Sequence, residues 1–406
     1  MSKTIALLLL LGAATAVGAQ TPPVPPAPSG PESPPPPEDP ALPVPTRVGP
    51  EYKIPPQAPR WVVTMGILGD YDSNVAFDTA SASDYGGSFR AKVVRRFQTR
   101  RDRFNVSLGG SAYAYSENQE QDNLNGNAEV GWTRELSARN TFNMSGYGTY
   151  ENTATQEILT DVGIQLPRTQ SQGYGGAAGF VFKVGHYGSL RLGGRYSRLA
   201  FEDPTLVDNQ TVDANMTLLR EVGRLDDMSL SYTFLRNEDD GEAPLQHHSA
   251  EIGWRRTLTP NLSLTVSAGI TYSPLSEGSL TREWHPQGGL RLNGVWRRTT
   301  MLAEVRQTVT PAYGLGGDQL ADIGTLSAVI PFGRKVLLSI TGNVTWAREL
   351  GLDESYFSQE ATVSVNWKLF KYVGLGAGYT YRRSDPEFET TVSGHKTYCG
   401  FTYVRP

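Results

Sequence analysis

The chain has 406 residues, 37 Lys and Arg against 41 Asp and Glu, a formal net charge of −4 and one cysteine, Cys399. A single thiol excludes an intramolecular disulfide framework, and the slightly acidic balance gives no electrostatic footprint for nucleic acid.

Residues 1–19 carry Lys3, the apolar run Ile5–Leu11 and small residues ending Val17-Gly18-Ala19. This is the layout of a secretory signal cleaved near Ala19 or Gln20, and its apolar run is too short to span a bilayer. No cysteine follows the small residues, so a lipoprotein anchor is not indicated. Residues 20–59 hold 17 of the 27 prolines. Proline lacks an N–H and fixes φ, so "PPVPPAPSGPESPPPPEDP" predicts an extended, polyproline-like arm, either a passive linker or a partner-binding segment.

From residue 60 to 406 the composition changes. Proline becomes sparse, and Gly, Tyr, Trp, Thr, Ser and Arg rise. The first element, over 61–72, puts Met65, Ile67 and Gly69 on one face and Gly66, Leu68 and Asp70 on the other. It runs into Asp70-x-Asp72-x-Asn74, the opening spacing of an EF-hand loop. That loop needs Gly next and Glu at the twelfth position, where this chain has Val75 and Ser81, so the acids read as turn formers of a first acidic loop. The same period of two recurs. Phe104, Val106, Leu108, Ala112 and Ala114 alternate with Asn105, Ser107, Ser111 and Tyr113, and Ala361, Val363, Val365, Trp367 and Leu369 with Thr362, Ser364, Asn366 and Lys368. This is the signature of half-buried strands, and no segment sustains a 3.6-residue stripe.

The pattern predicts about 18 strands, at 61–72, 84–98, 102–117, 121–136, 139–153, 170–184, 187–200, 208–222, 225–237, 245–259, 261–273, 281–297, 299–310, 320–331, 333–347, 355–369, 371–382 and 391–404. Tight turns, such as Arg100-Arg101, Gly185-His186 and Phe332-Gly333, alternate with longer polar loops, such as 73–83, 154–169 and 311–319. Aromatics fall near strand ends: Trp61, Phe97, Trp132, Trp254, Trp296, Trp346 and Trp367. The tight turns are basic (Arg100, Arg101, Arg139, Arg224, Arg298, Arg334) and the long loops acidic (Glu117, Asp161, Glu202, Glu238, Asp240, Asp353). An even number of long strands, short turns at one rim and long loops at the other defines the expected fold class: all-β, a transmembrane antiparallel up-and-down β-barrel.

On these features the chain resembles, over residues 61–406, a bacterial outer-membrane β-barrel of the porin type associated with exopolysaccharide secretion. Two stretches carry the resemblance: "YDSNVAFD" at 71–78 and the final "KTYCGFTYVRP". In the latter, Lys396 fits the polar position and Phe401 and Tyr403 the aromatic positions of the closing signal of such barrels, with Tyr398 where Gly is usual. The resemblance implies a polysaccharide conduit in the outer membrane of a Gram-negative bacterium, working with periplasmic export partners. Both termini would then lie in the periplasm, the Pro-rich arm within reach of such a partner and the acidic loops outside the cell.

Alternation places Arg90 and Lys92, Arg191 and Arg195, Glu251 and Arg255, Arg291, and Glu304 and Arg306 on the polar, pore-lining face. Their cationic bias suits anionic solutes or an acidic polysaccharide. The alternative is that these charges pair with one another and only keep the lumen wet. Catalysis has little to stand on: there is no Gly-x-Ser-x-Gly or His-Glu-x-x-His, and Ser189 near His186 in "GHYGSL" is explained by a tight turn. Glu238-Asp239-Asp240 with His247-His248 is the one metal-like cluster, and it reads as a solvated charged loop. No metal or cofactor is expected. A surface barrel using its acidic loops for adhesion, and a general diffusion porin, are the competing functional readings.

Overall fold

The computed structural model describes residues 60–77, 82–152, 169–240, 244–274, 283–312, 317–350, 355–386 and 391–405. The expected signal and Pro-rich arm lie outside the described residues, as does most of 154–169.

Eighteen antiparallel strands follow in chain order: β1 Arg60–Asp72, β2 Asp84–Gln98, β3 Asp102–Tyr115, β4 Asn123–Glu135, β5 Asn140–Asn152, β6 Gln170–Val184, β7 Gly188–Phe201, β8 Asn209–Glu221, β9 Asp226–Asp239, β10 Leu245–Thr259, β11 Leu262–Ser273, β12 Glu283–Trp296, β13 Thr299–Pro311, β14 Asp318–Phe332, β15 Val336–Glu349, β16 Ser355–Lys368, β17 Val373–Pro386 and β18 Val392–Arg405. Each pairs with its chain neighbours, and β1 pairs with both β2 and β18, so the sheet closes on itself. Ile67 lies opposite Phe89 on one side and Phe401 on the other. Closure leaves no unpaired edge. Two of the tight turns pass through positive φ at Gly185 (+69°) and Gly333 (+70°), a conformation that costs glycine nothing.

The strands sit where the alternation predicts, but several run further into the loop rim. β9 reaches Asp239, β15 Glu349 and β17 Pro386. There the hairpin ladders continue through polar residues, as at Ser358↔Ser384, so the change to polar sequence does not end the strand.

Directly opposed residues share a face of the sheet, so the register sorts every strand into two walls. The outer wall carries exposed aliphatic side chains at mid-height, Ile67 (66%), Leu108 (57%) and Ile252 (56%) among them. Aromatics flank this band at both rims. Trp61, Phe97, Phe104, Phe180, Trp296 and Trp367 lie toward the short turns, and Tyr85, Tyr150, Tyr174, Trp284 and Trp346 toward the long loops. In water such a surface would be an aggregation hazard. In a bilayer it is an aliphatic belt between two interfacial girdles. Among the described residues no helix is long and apolar enough to cross a membrane; the strands make the crossing, with their backbone groups paired.

The inner wall reverses the usual composition of a core. Buried polar side chains outnumber buried apolar ones among the described residues, and one small apolar cluster, Ala321, Ile323 and Ala347 with Tyr356, lies on β14–β16. Glycines let tyrosine rings lie flat on this wall: a Cβ at Gly378 would stand 2.4 Å from Tyr398 Oη, and one at Gly175 2.8 Å from the Tyr147 ring.

Candidate functional site

The register places all nine charged residues singled out above on the inward face, but it does not gather them into one cluster. Arg191 and Arg195 on β7, Glu251 and Arg255 on β10, Arg291 on β12, and Glu304 and Arg306 on β13 occupy one arc, while Arg90 and Lys92 on β2 occupy another. In the first arc Arg195 opposes Asp213 across the β7–β8 ladder. Arg291 and Glu304 oppose each other on β12 and β13, with Nε 3.7 Å from Oε2. Arg255 stands 3.9 Å from Asp227, toward the short-turn rim, and near enough to Arg191 for repulsion. Pairs open to water on a wall of this kind contribute about 0–1 kcal/mol each; their larger effect is on which ions the lumen accepts.

The second arc is richer than alternation alone suggests, because closure brings the two ends of the chain together. Arg90 hydrogen-bonds Tyr113 Oη on β3 and lies 5.4 Å from the centre of that ring. Lys396 on β18 reaches the same ring at 5.6 Å and sits 2.7 Å from Asp70 Oδ2 on β1. Arg382 on β17 opposes Glu360 on β16. Arg90, Tyr113, Glu360, Arg382 and Lys396 face a recess of about 200 Å³ in the inner wall, which Asn125 and Tyr398 also line. Asp70 stands in β1, on the face shared with Gly66 and Leu68, inward and buried. The parity rule that finds Arg90 also places Tyr113, Glu360, Arg382 and Lys396 inside. What the local pattern lacks is any sign that residues so distant in the chain converge.

At the loop rim Gly317 and Asp318, where β14 begins, meet inward side chains of β9 and β10. Gly317 N donates to Asp239 Oδ2 at 2.7 Å, and Asn237 Nδ2 donates to Asp318 Oδ1 at 3.0 Å. His247 Nε2 donates to Asp318 Oδ2, while its Nδ1 meets Ser273 Oγ at 2.7 Å. Asn209 Nδ2 holds the other oxygen of Asp239 at 2.7 Å. Asn209, Asn237, Asp239, His247 and Asp318 are all buried. Gly317 and Asp318 thus bridge from the start of β14 to the inward side chains of β9 and β10 at this rim.

This corrects one expectation. The stretch from Glu238 to His248 is not simply a solvated charged loop. Alternation splits it, turning Glu238 and His248 outward and Asp239 and His247 inward, and the inward pair holds Gly317 and Asp318 at the start of β14. Among the described residues no group of three or more His, Cys, Asp or Glu is placed to hold a metal ion. The first loop also folds in. Asp72 Oδ1 accepts from Asn74 N at 3.1 Å, as a turn former should, and Phe77 packs over Gly394 with Arg382 5.6 Å from its ring. In the loop after β7, Asp203 accepts from Thr205 N at 2.9 Å and Thr205 Oγ1 at 2.7 Å, and these bonds hold its carboxyl below the usual carboxylate range.

The rims are less one-sided than their basic and acidic residues suggest. At the short-turn rim Arg103 meets Glu135 at 3.6 Å and Arg134 meets Asp102 at 3.8 Å. At the loop rim Arg236 meets Glu238 at 3.2 Å and Arg383 meets Asp385 at 3.0 Å.

A closed, girdled barrel with a polar inner wall is a transmembrane β-barrel of the outer-membrane, pore-forming kind, and barrels of 16–18 strands enclose an aqueous lumen. No protein-family model matches the chain, and no curated protein matches it. Among solved structures it is similar to the outer membrane protein OpdK of Pseudomonas aeruginosa, at 8% identity over 85% of this chain and 99% of that one, with a TM-score of 0.48. It is also similar to OccAB4 of Acinetobacter baumannii (8% identity, 88% and 100% coverage, TM-score 0.44) and to the siderophore receptor PirA of Pseudomonas aeruginosa (11%, 87% and 81%, 0.45).

Proposed function

We propose that the protein is an outer-membrane pore for polar solutes and that its cargo is an exopolysaccharide on its way out of the cell. The observation that carries the pore reading is the wall itself: hydroxyls, amides, tyrosines and charged groups face inward while the aliphatic belt faces out. Such a lining replaces the hydration of a sugar chain without stripping water from unpaired apolar surface. The carbohydrate reading rests further on the resemblance of the entry and closing strands. In it, the barrel receives polymer from a periplasmic export protein engaged by the Pro-rich arm, with both termini in the periplasm, the long loops outside and the nine inward charged residues lining the path.

A general diffusion porin is the second reading, favoured by the mixed pairing of lumen charges, such as Arg291 with Glu304. Deleting the gene in its host separates the two. Loss of secreted polysaccharide, restored by the full chain, supports the conduit. Unchanged secretion with reduced uptake of small hydrophilic solutes supports the general porin. Removing residues 21–55 should lower secretion while leaving channel conductance intact; normal secretion would remove the arm from the export path.

A further inference from the structure

We propose that the recess over β1 is a binding site for an acidic sugar unit, engaged through its carboxylate and one face of its ring. This rests on the carbohydrate reading above and narrows it to a residue class and a place.

Four features converge there. First, Arg90, Arg382 and Lys396 supply three cations, against Glu360 and Asp70, so the balance favours an anion. The two arginines can take a carboxylate oxygen each or grip it side-on, as planar guanidinium groups do. Second, Tyr398 lies with its ring against Gly378, where a Cβ would come within 2.4 Å of it. One ring face is thereby occupied, and the other is left toward the recess that Tyr398 lines. A flat aromatic platform is what the C–H face of a pyranose stacks on. Third, Asn125, 3.4 Å from Ser111 Oγ, brings an amide to the opposite side, matched to sugar hydroxyls. Fourth, Tyr113 is gripped by Arg90 and approached by Lys396, so the cations stand on a fixed support rather than on free side chains. The other arc of the lumen has cations of its own, and three of its arginines, Arg195, Arg255 and Arg291, are met by Asp213, Asp227 and Glu304. The recess is where cations, an aromatic platform and an amide coincide.

The test uses the full mature chain in planar bilayers, with trigalacturonate as the probe and maltotriose as the neutral control. Trigalacturonate should interrupt the ion current in discrete blocks at concentrations where maltotriose leaves it unmarked. Arg90→Gln and Arg382→Gln should each weaken the block at least about tenfold, the loss expected for a charge-assisted contact. Glu360→Gln, which removes a competing carboxylate, should strengthen it. Arg256→Gln on the outer wall should leave it as in the wild type, and retained heat-modifiable migration shows that each variant is folded. Equal block by both sugars, or block indifferent to the recess variants, overturns the proposal. If the protein conducts no current, the pore reading fails. The site is then decided by calorimetry in detergent, where trigalacturonate binding lost in Arg382→Gln supports it and no binding overturns it.

Discussion

Replacing His247 by Ala should loosen the start of β14, at Gly317 and Asp318, from β9 and β10 and enlarge the channel. His247 and Asp318 are both buried, and the ring holds one carboxylate oxygen while Asn237 holds the other at 3.0 Å. The substitution therefore removes one charge-assisted hydrogen bond without stripping Asp318 of its last partner. Such a bond contributes about 1.5–3 kcal/mol net. That energy shifts the ratio of held to released Asp318 roughly 10- to 150-fold. Gly317 N to Asp239 and Asn237 to Asp318 remain, so the start of β14 should exchange between the two states rather than leave permanently. In single-channel recordings the wild type should show one main conductance, and His247→Ala should add longer visits to a larger one. Asp318→Ala should give the same larger level, and the double variant should cost less than the two single effects summed, because both act on one contact. Wild-type and His247→Ala channels with identical conductance and gating would refute the idea that the His247–Asp318 contact shapes the conducting path.

Other outcomes follow from the two walls. Ile252→Arg, at mid-height on the outer wall, should destabilise the folded barrel in lipid by about 2–4 kcal/mol, whereas Ser267→Arg at similar height inside should leave stability nearly unchanged and alter ion selectivity; equal destabilisation by both would contradict the assignment of faces. Gly175→Ala places a methyl 2.4 Å from Tyr196 O, a backbone atom that cannot step aside. It should cost about 1–3 kcal/mol, read as a lower temperature for loss of heat-modifiable migration. Arg291→Ala leaves Glu304 without its 3.7 Å partner and should move the reversal potential in a salt gradient toward cation preference; an unmoved potential would mean that this pair does not face the conducting path.

The strands and their two faces were legible because a sheet records its geometry locally: one residue in, one residue out, with a turn every dozen or so positions. That is why Arg90 and Glu304 could be placed inside from alternation alone. Contacts across the barrel leave no such record. Nothing near Asp70 announces Lys396, which meets it only because the last strand closes on the first. Nothing in "HH" at 247–248 announces Asp318 at the start of β14, 71 positions away. Charge read by loop and not by partner misses Asp102 and Glu135 among the basic turns, and gives Asp239 and His247 as solvated where the fold buries both.

The most direct measurement of the central claim is the current through single molecules of the mature protein in a planar bilayer. A water-filled barrel spanning the membrane predicts discrete, repeatable conductance steps from the wild type, larger in His247→Ala. Folded, heat-modifiable protein that inserts but carries no current in either form would contradict it.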